Sequence, residues 1–127
     1  MKIKPLFMAT AVLEASTGLA LLVSPALVAS ILIGAPFATP ADSVVGRITG
    51  AALLTLGFAC WRARGDGLSS SASALISALL LYNSVVALLL IYAGTGLRLF
   101  GVGLWPAVGL HTVMAIWCLA VVFVKRN

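Results

Sequence analysis

The chain has 127 residues, of which 62% are hydrophobic and only 9% charged, and its mean hydropathy is +1.18. A soluble globular domain carries charge on roughly a quarter of its residues, so this composition excludes one and indicates an integral membrane protein. The net charge of +5 sits at the ends of apolar blocks, without the basic stripe that nucleic acid requires, and is read as a topology signal.

At about 20 residues for each crossing of a hydrocarbon core of roughly 30 Å, the chain holds four spans, over about 5–24, 43–61, 72–92 and 105–124. Few residues remain for anything else, so 1–127 reads as a single transmembrane domain. The apolar blocks lack the ten-residue alternation of a β-barrel, and only a helix satisfies its own backbone groups in lipid. The expected fold is therefore all-α, an up-down bundle of four transmembrane helices.

The first block follows "MKIK" and has the look of a signal peptide. Glu14 interrupts it, however, and it exceeds the 7 to 15 residues of such apolar regions, so a retained span is expected. The stretch "SPALVASILIGAPFATPAD" then runs long and almost wholly apolar to the second span. Ser24 and Pro25 have the pattern of an N-cap and first turn, and Gly34 that of a stop. Two readings stand: a short apolar helix from Pro25 to Ile33 over the outer mouth of the bundle, or a first helix that continues through a kink at Pro25.

Between the second and third spans, "WRARGDGLSSSAS" combines charge, glycine and serine, which marks a solvated turn with a serine available to cap the next helix. Asp42 and Asp66 are read as a cap and a turn residue. Lys2, Lys4, Arg62, Arg64, Lys125 and Arg126 fall on one side of a four-span chain, against Arg98 on the other. The positive-inside rule then places both termini and the 62–70 loop in the cytoplasm of a bacterial-type inner membrane. Trp61, Tyr92 and Trp105 fall at span ends, where amphipathic rings are favoured.

Each span also carries one strongly polar residue. Glu14 lies near the middle of the first, Asn83 with Tyr82 near the middle of the third, and Arg47 and His111 in the outer half of the second and fourth. Exposing a charge to lipid costs roughly 2.5 to 3.5 kcal/mol on insertion scales. An ion pair between Glu14 and Arg47 inside the bundle, hydrogen-bonded by Asn83 and His111, is therefore expected. Thr10, Thr17 and Gly18 share the Glu14 face of the first span. Gly46 and Gly50 flank Arg47 in the small-xxx-small spacing that permits close helix approach.

Such a cluster supports three readings. It can bind a polar small ligand, such as a lipid or quinone head group, or dock a partner membrane subunit or a second copy, without catalysis. It can make the protein a small proton-coupled transporter with Glu14 as the proton carrier. Or it can fix helix register and nothing more. No nucleophile and base set, carboxylate pair or phosphate-binding glycine loop points to an enzyme. With His111 the single histidine, a bis-histidine haem within one chain is excluded and a single-ligand haem disfavoured. Zinc needs three or four convergent ligands, whereas His111 and Cys118 stand two turns, about 10 Å, apart on one helix face. Cys60 and Cys118 lack C-x-x-C spacing and read as small packing residues.

Three stretches, "STGLALLVSPALVASILIG", "GRITGAALLTLGFACW" and "LWPAVGLH", give the chain its likeness to a known group. It resembles the small DoxX-like bacterial membrane proteins. That resemblance implies a four-helix membrane fold and, through members linked to quinone-coupled oxidoreductases, an accessory role near a quinone. It implies no catalytic residue.

Overall fold

The computed structural model describes residues 2–126, so Met1 and Asn127, the ends of the expected domain, lie outside the described residues. Five helices follow one another: α1 (Lys4–Val23), α2 (Pro25–Ile33), α3 (Pro40–Ala63), α4 (Ser70–Thr95) and α5 (Leu104–Arg126). No strand occurs among the described residues. Of the five, α1, α3, α4 and the Leu104–Val124 portion of α5 are long and apolar enough to cross a membrane. Their outward faces expose large apolar side chains such as Val12, Ile48, Phe58, Leu81, Leu88 and Ile116.

Local chemistry sets the boundaries. Proline opens α1, α2 and α3, where its missing N–H removes no helical bond. At α3 a capping box forms: Thr39 Oγ1 accepts from the Asp42 N–H at 3.2 Å, and Asp42 Oδ2 accepts from the Thr39 N–H at 2.9 Å. These reciprocal bonds satisfy otherwise orphaned donors and start the helix ahead of the apolar block at 43. Ser69 caps α4 by accepting from Ala72 N at 3.1 Å.

Between the two readings of the first connection, the structure selects a separate short helix. Ser24 leaves helical geometry, with φ −143° and ψ 75°, and Pro25 has no N–H to continue the α1 ladder. Ser24 occupies the N-cap position without a side-chain hydrogen bond. Gly34 ends α2 at φ 75°, a left-handed conformation that glycine adopts without the penalty of a Cβ. A turn before α5 clasps α2 in place: Gly103 N donates to Ile31 O at 2.8 Å. A Cβ on Gly101 would run into Ile31 O and Leu32 O.

Glycine also determines how the long helices pair. A Cβ built on Gly18 would stand 2.6 Å from Gly50 O and Leu54 N, and one on Gly50 would stand 2.7 Å from Gly18 O. Further along, a Cβ on Gly57 would meet Ala15 N at 2.9 Å. The backbones of α1 and α3 thus touch in antiparallel register, as small-residue interfaces permit. Gly46 plays a different part from the one expected beside Arg47. It seats the α2 connection, since a Cβ there would meet Phe37 Cε2 at 2.5 Å and Pro25 Cβ at 2.8 Å.

All four long helices contribute to a core that includes Leu6, Phe7, Cys60, Ile76, Leu79 and Cys118, toward the end where α1 begins. Both cysteines are free and buried there. A smaller cluster of Leu90, Ala93 and Leu104 lies toward the end where α2 sits. The larger core thus lies at the first end, and a cavity lies beside α2.

Candidate functional site

The glycine register decides which polar residues meet. With Gly50 against Gly18 in antiparallel helices, Arg47, one turn earlier on α3, lies beside the last turn of α1. Its Nε donates to Leu22 O at 3.1 Å. That carbonyl lies in the last turn of α1, where the helical ladder runs out, and a cation there faces the negative end of the helix dipole.

Leu22 is eight residues beyond Glu14, about 12 Å along the helix axis, so the expected Glu14–Arg47 ion pair is not formed. Glu14 is 7% exposed and accepts a hydrogen bond from the Tyr82 hydroxyl on Oε2 at 3.1 Å. A neutral phenol, rather than a guanidinium, faces the buried carboxylate.

Adjacent positions on α4 point about 100° apart, and this divides the next two residues between neighbours. Tyr82 turns to α1, while Asn83, 2% exposed, turns to α5. Asn83 Nδ2 donates to Leu79 O at 2.8 Å, and its Oδ1 lies 2.8 Å from His111 Nδ1. The His111 ring also meets the Tyr82 ring edge to face, with centroids 5.7 Å apart and planes at 79°. Glu14, Tyr82, His111 and Asn83 thus form one connected set drawn from α1, α4 and α5. Three of the four polar residues singled out in the sequence belong to it, joined through Tyr82, and Arg47 does not.

The remaining candidates separate in the same way. Thr10 is 1% exposed and donates to Leu6 O at 3.0 Å, which makes it a core residue bonded within its own helix. Thr17 lines a cavity instead. Gly18 and Gly50 are occupied in the α1–α3 contact.

That cavity has a volume of about 690 Å3 and takes wall residues from all five helices. Tyr82 and His111 stand at its inner end. From them Val86 and Leu90 on α4, and Ala107 on α5, lead toward α2, whose Ala29 and Leu32 close the far end. The cavity is half open, and Val45 and Thr49 of α3 in its wall are themselves exposed, Val45 by 62%. Glu14 and Asn83 are not wall residues; they hold Tyr82 and His111 from behind. Sequence reading missed Val86, Leu90 and the α2 wall, although 82, 86 and 90 repeat at the four-residue spacing that marks one helix face.

Among the described residues, no group of three or more His, Cys, Asp or Glu is placed to hold a metal ion. Fold and site together define a small helical bundle of the multi-pass membrane type, with a half-open apolar cavity ended by a tyrosine and a histidine. No family model, curated protein or solved structure matches the chain.

Proposed function

We propose that the protein is a non-catalytic membrane-embedded binding protein. Its cavity takes the apolar body of an amphipathic molecule, such as a lipid or quinone, and sets the head group against Tyr82 and His111. The observation that carries this reading is the cavity itself. Its volume of about 690 Å3 falls in the roughly 300–1,000 Å3 range of small-molecule sites, and an apolar wall ending in a few oriented polar groups is the usual composition of such sites.

In this reading the four long helices span a bacterial-type inner membrane with both termini cytoplasmic. Lys2, Lys4, Arg62 and Arg64 flank the membrane on that side, as the positive-inside rule requires. The exposed apolar faces meet membrane lipid, and the open side of the cavity gives a ligand entry from the bilayer. The resemblance to DoxX-like proteins is in keeping with this role beside a quinone-using partner.

The experiment is native mass spectrometry of protein extracted with its surrounding lipid. A reproducible extra mass is expected on the wild type and is expected to disappear in Ala107→Trp, which fills the cavity. Protein without an added mass, or an equal adduct on the variant, would contradict the proposal. A second reading draws on Glu14, a buried carboxylate whose bonded partner is a phenol rather than a cation: the protein is a small transporter in which Glu14 carries the proton. Glu14→Gln would then abolish proton-coupled uptake in liposomes, and undiminished uptake would remove that reading.

A further inference from the structure

The inner wall of the cavity has a hydrogen-bonding polarity fixed by the residues behind it. Leu79 O can only accept, so the Asn83 group 2.8 Å from it must be the Nδ2 amide. Oδ1 then faces His111 Nδ1 at 2.8 Å, and two acceptors cannot bond, so the imidazole proton is on Nδ1. A neutral ring with that proton carries a bare lone pair on Nε2. Among the described residues Nε2 has no hydrogen-bond partner, and it is not sealed from solvent, on a residue of the cavity wall.

Tyr82 points the same way. Its single O–H is spent on Glu14 Oε2 at 3.1 Å, which leaves its oxygen able only to accept. The wall hydroxyls of Ser16 and Thr49 donate to Val12 O at 2.6 Å and Val45 O at 2.9 Å within their own helices. Among the described residues Thr17 is the one wall hydroxyl that makes no hydrogen bond, so its O–H is the one wall hydroxyl donor left to a ligand. The two groups at the inner end therefore offer lone pairs and no hydrogen.

We propose, resting on the binding reading above, that the cavity selects amphipathic molecules whose head group donates a hydrogen bond. An alcohol or phenol O–H is favoured over an ether, ketone or quinone carbonyl of similar shape. A hydroxyl places its hydrogen on His111 Nε2. A carbonyl in the same place sets its lone pairs against those of Nε2 and the Tyr82 oxygen, and with only the Thr17 hydroxyl on the wall able to serve it, Nε2 stays unpaired in apolar surroundings, which is costly. Sites built around a hydrogen bond reject analogues that lack it for this reason. Within the lipid-or-quinone reading, the ligand is thus a lipid alcohol or a reduced quinol, which share the terminal O–H.

Because His111 is the single histidine, nitrogen-15 histidine labelling reports on one ring. The full chain in phosphatidylcholine nanodiscs is titrated with dodecanol, with a dodecylphenol and with dodecyl methyl ether, while the ring nitrogens are followed by NMR. The unliganded ring is expected to show a protonated Nδ1 and a bare Nε2. Dodecanol or the phenol should shift Nε2 saturably, and the tighter of the two identifies an aliphatic or a quinol-like source. The ether should bind at least about fivefold more weakly than the better donor.

A ring protonated on Nε2 instead of Nδ1 would overturn the proposal. Equal affinity for ether and donors would also overturn it while leaving the binding reading intact, whereas no saturable binding by any probe would remove both. His111→Phe keeps a ring against Tyr82 and is expected to bind alcohol and ether alike. A preserved alcohol preference in that variant would place the selectivity elsewhere and refute the assignment to Nε2.

Discussion

Replacing Gly50 by alanine tests the register on which the site depends. The new Cβ would stand 2.7 Å from Gly18 O and 3.0 Å from Leu22 N, both backbone atoms that cannot rotate aside, whereas ordinary contact begins at 3.4 Å. The closest pair must open by 3.4 − 2.7 = 0.7 Å, so α1 and α3 have to part. Forcing an extra methyl into a packed interface costs about 1–3 kcal/mol, while removing a helical glycine returns up to about 1 kcal/mol. Gly109→Ala supplies the reference: it too replaces a helical glycine, but nothing lies within 4 Å of its Cβ. The propensity gain cancels between the two variants, and Gly50→Ala is predicted to be less stable than Gly109→Ala by about 1–3 kcal/mol. Unfolding by SDS in mixed micelles measures the difference. Equal stability, or a more stable Gly50→Ala, would refute the close α1–α3 contact and with it the register that sends Arg47 to Leu22.

Other substitutions probe the polar set and the connection above it. Glu14→Gln keeps an acceptor for Tyr82 and should leave the bundle within about 1 kcal/mol of wild type in the same assay, whereas Glu14→Leu strands the Tyr82 hydroxyl and should cost about 1–3 kcal/mol. Gly34→Ala forces a side chain into a left-handed conformation, at about 1–2 kcal/mol, and drives it into Phe100 O. Faster proteolysis of the 34–40 connection is the expected result. Arg47→Met removes the bond to Leu22 O and should speed amide exchange where α1 meets α2. It should leave the His111 ring signals unchanged, and a change in those signals would tie Arg47 to the site after all.

Much of the architecture was legible because its signals are local. Long apolar blocks identified the four long helices, Ser24, Pro25 and Gly34 bounded α2, and a serine was available to cap α4. The boundary at α3 was less clear because Pro40 and Ala41 belong to a helix whose start is set by the Thr39–Asp42 capping box, outside the apolar block. Helix rotation was harder to read. These helices are apolar on nearly every face, so periodicity does not say which face turns inward, and Thr10 and Thr17, both on the Glu14 face by spacing, divide between core and cavity.

The ion pair failed as an expectation for a different reason. Charge complementarity and depth in the membrane favoured Glu14 with Arg47. The separation is set by Gly18 meeting Gly50, and the partner Arg47 takes is a main-chain carbonyl released where α1 ends. No side-chain pattern announces such an acceptor. Tyr82, placed beside Asn83 in the sequence reading, was expected near the cluster, but its place between Glu14 and His111 follows from how α4 sits against both α1 and α5.

The central claim is that an amphipathic molecule occupies the cavity with its head against Tyr82 and His111. Photocrosslinking with a long-chain alcohol bearing a diazirine near its hydroxyl, in nanodiscs, tests it most directly. The predicted result is labelling of Tyr82, Val86 or His111 that unlabelled dodecanol competes away. Labelling confined to outward residues such as Leu81, Leu88 and Ile116, insensitive to competitor, would show a probe dissolved in the surrounding lipid and would contradict the account.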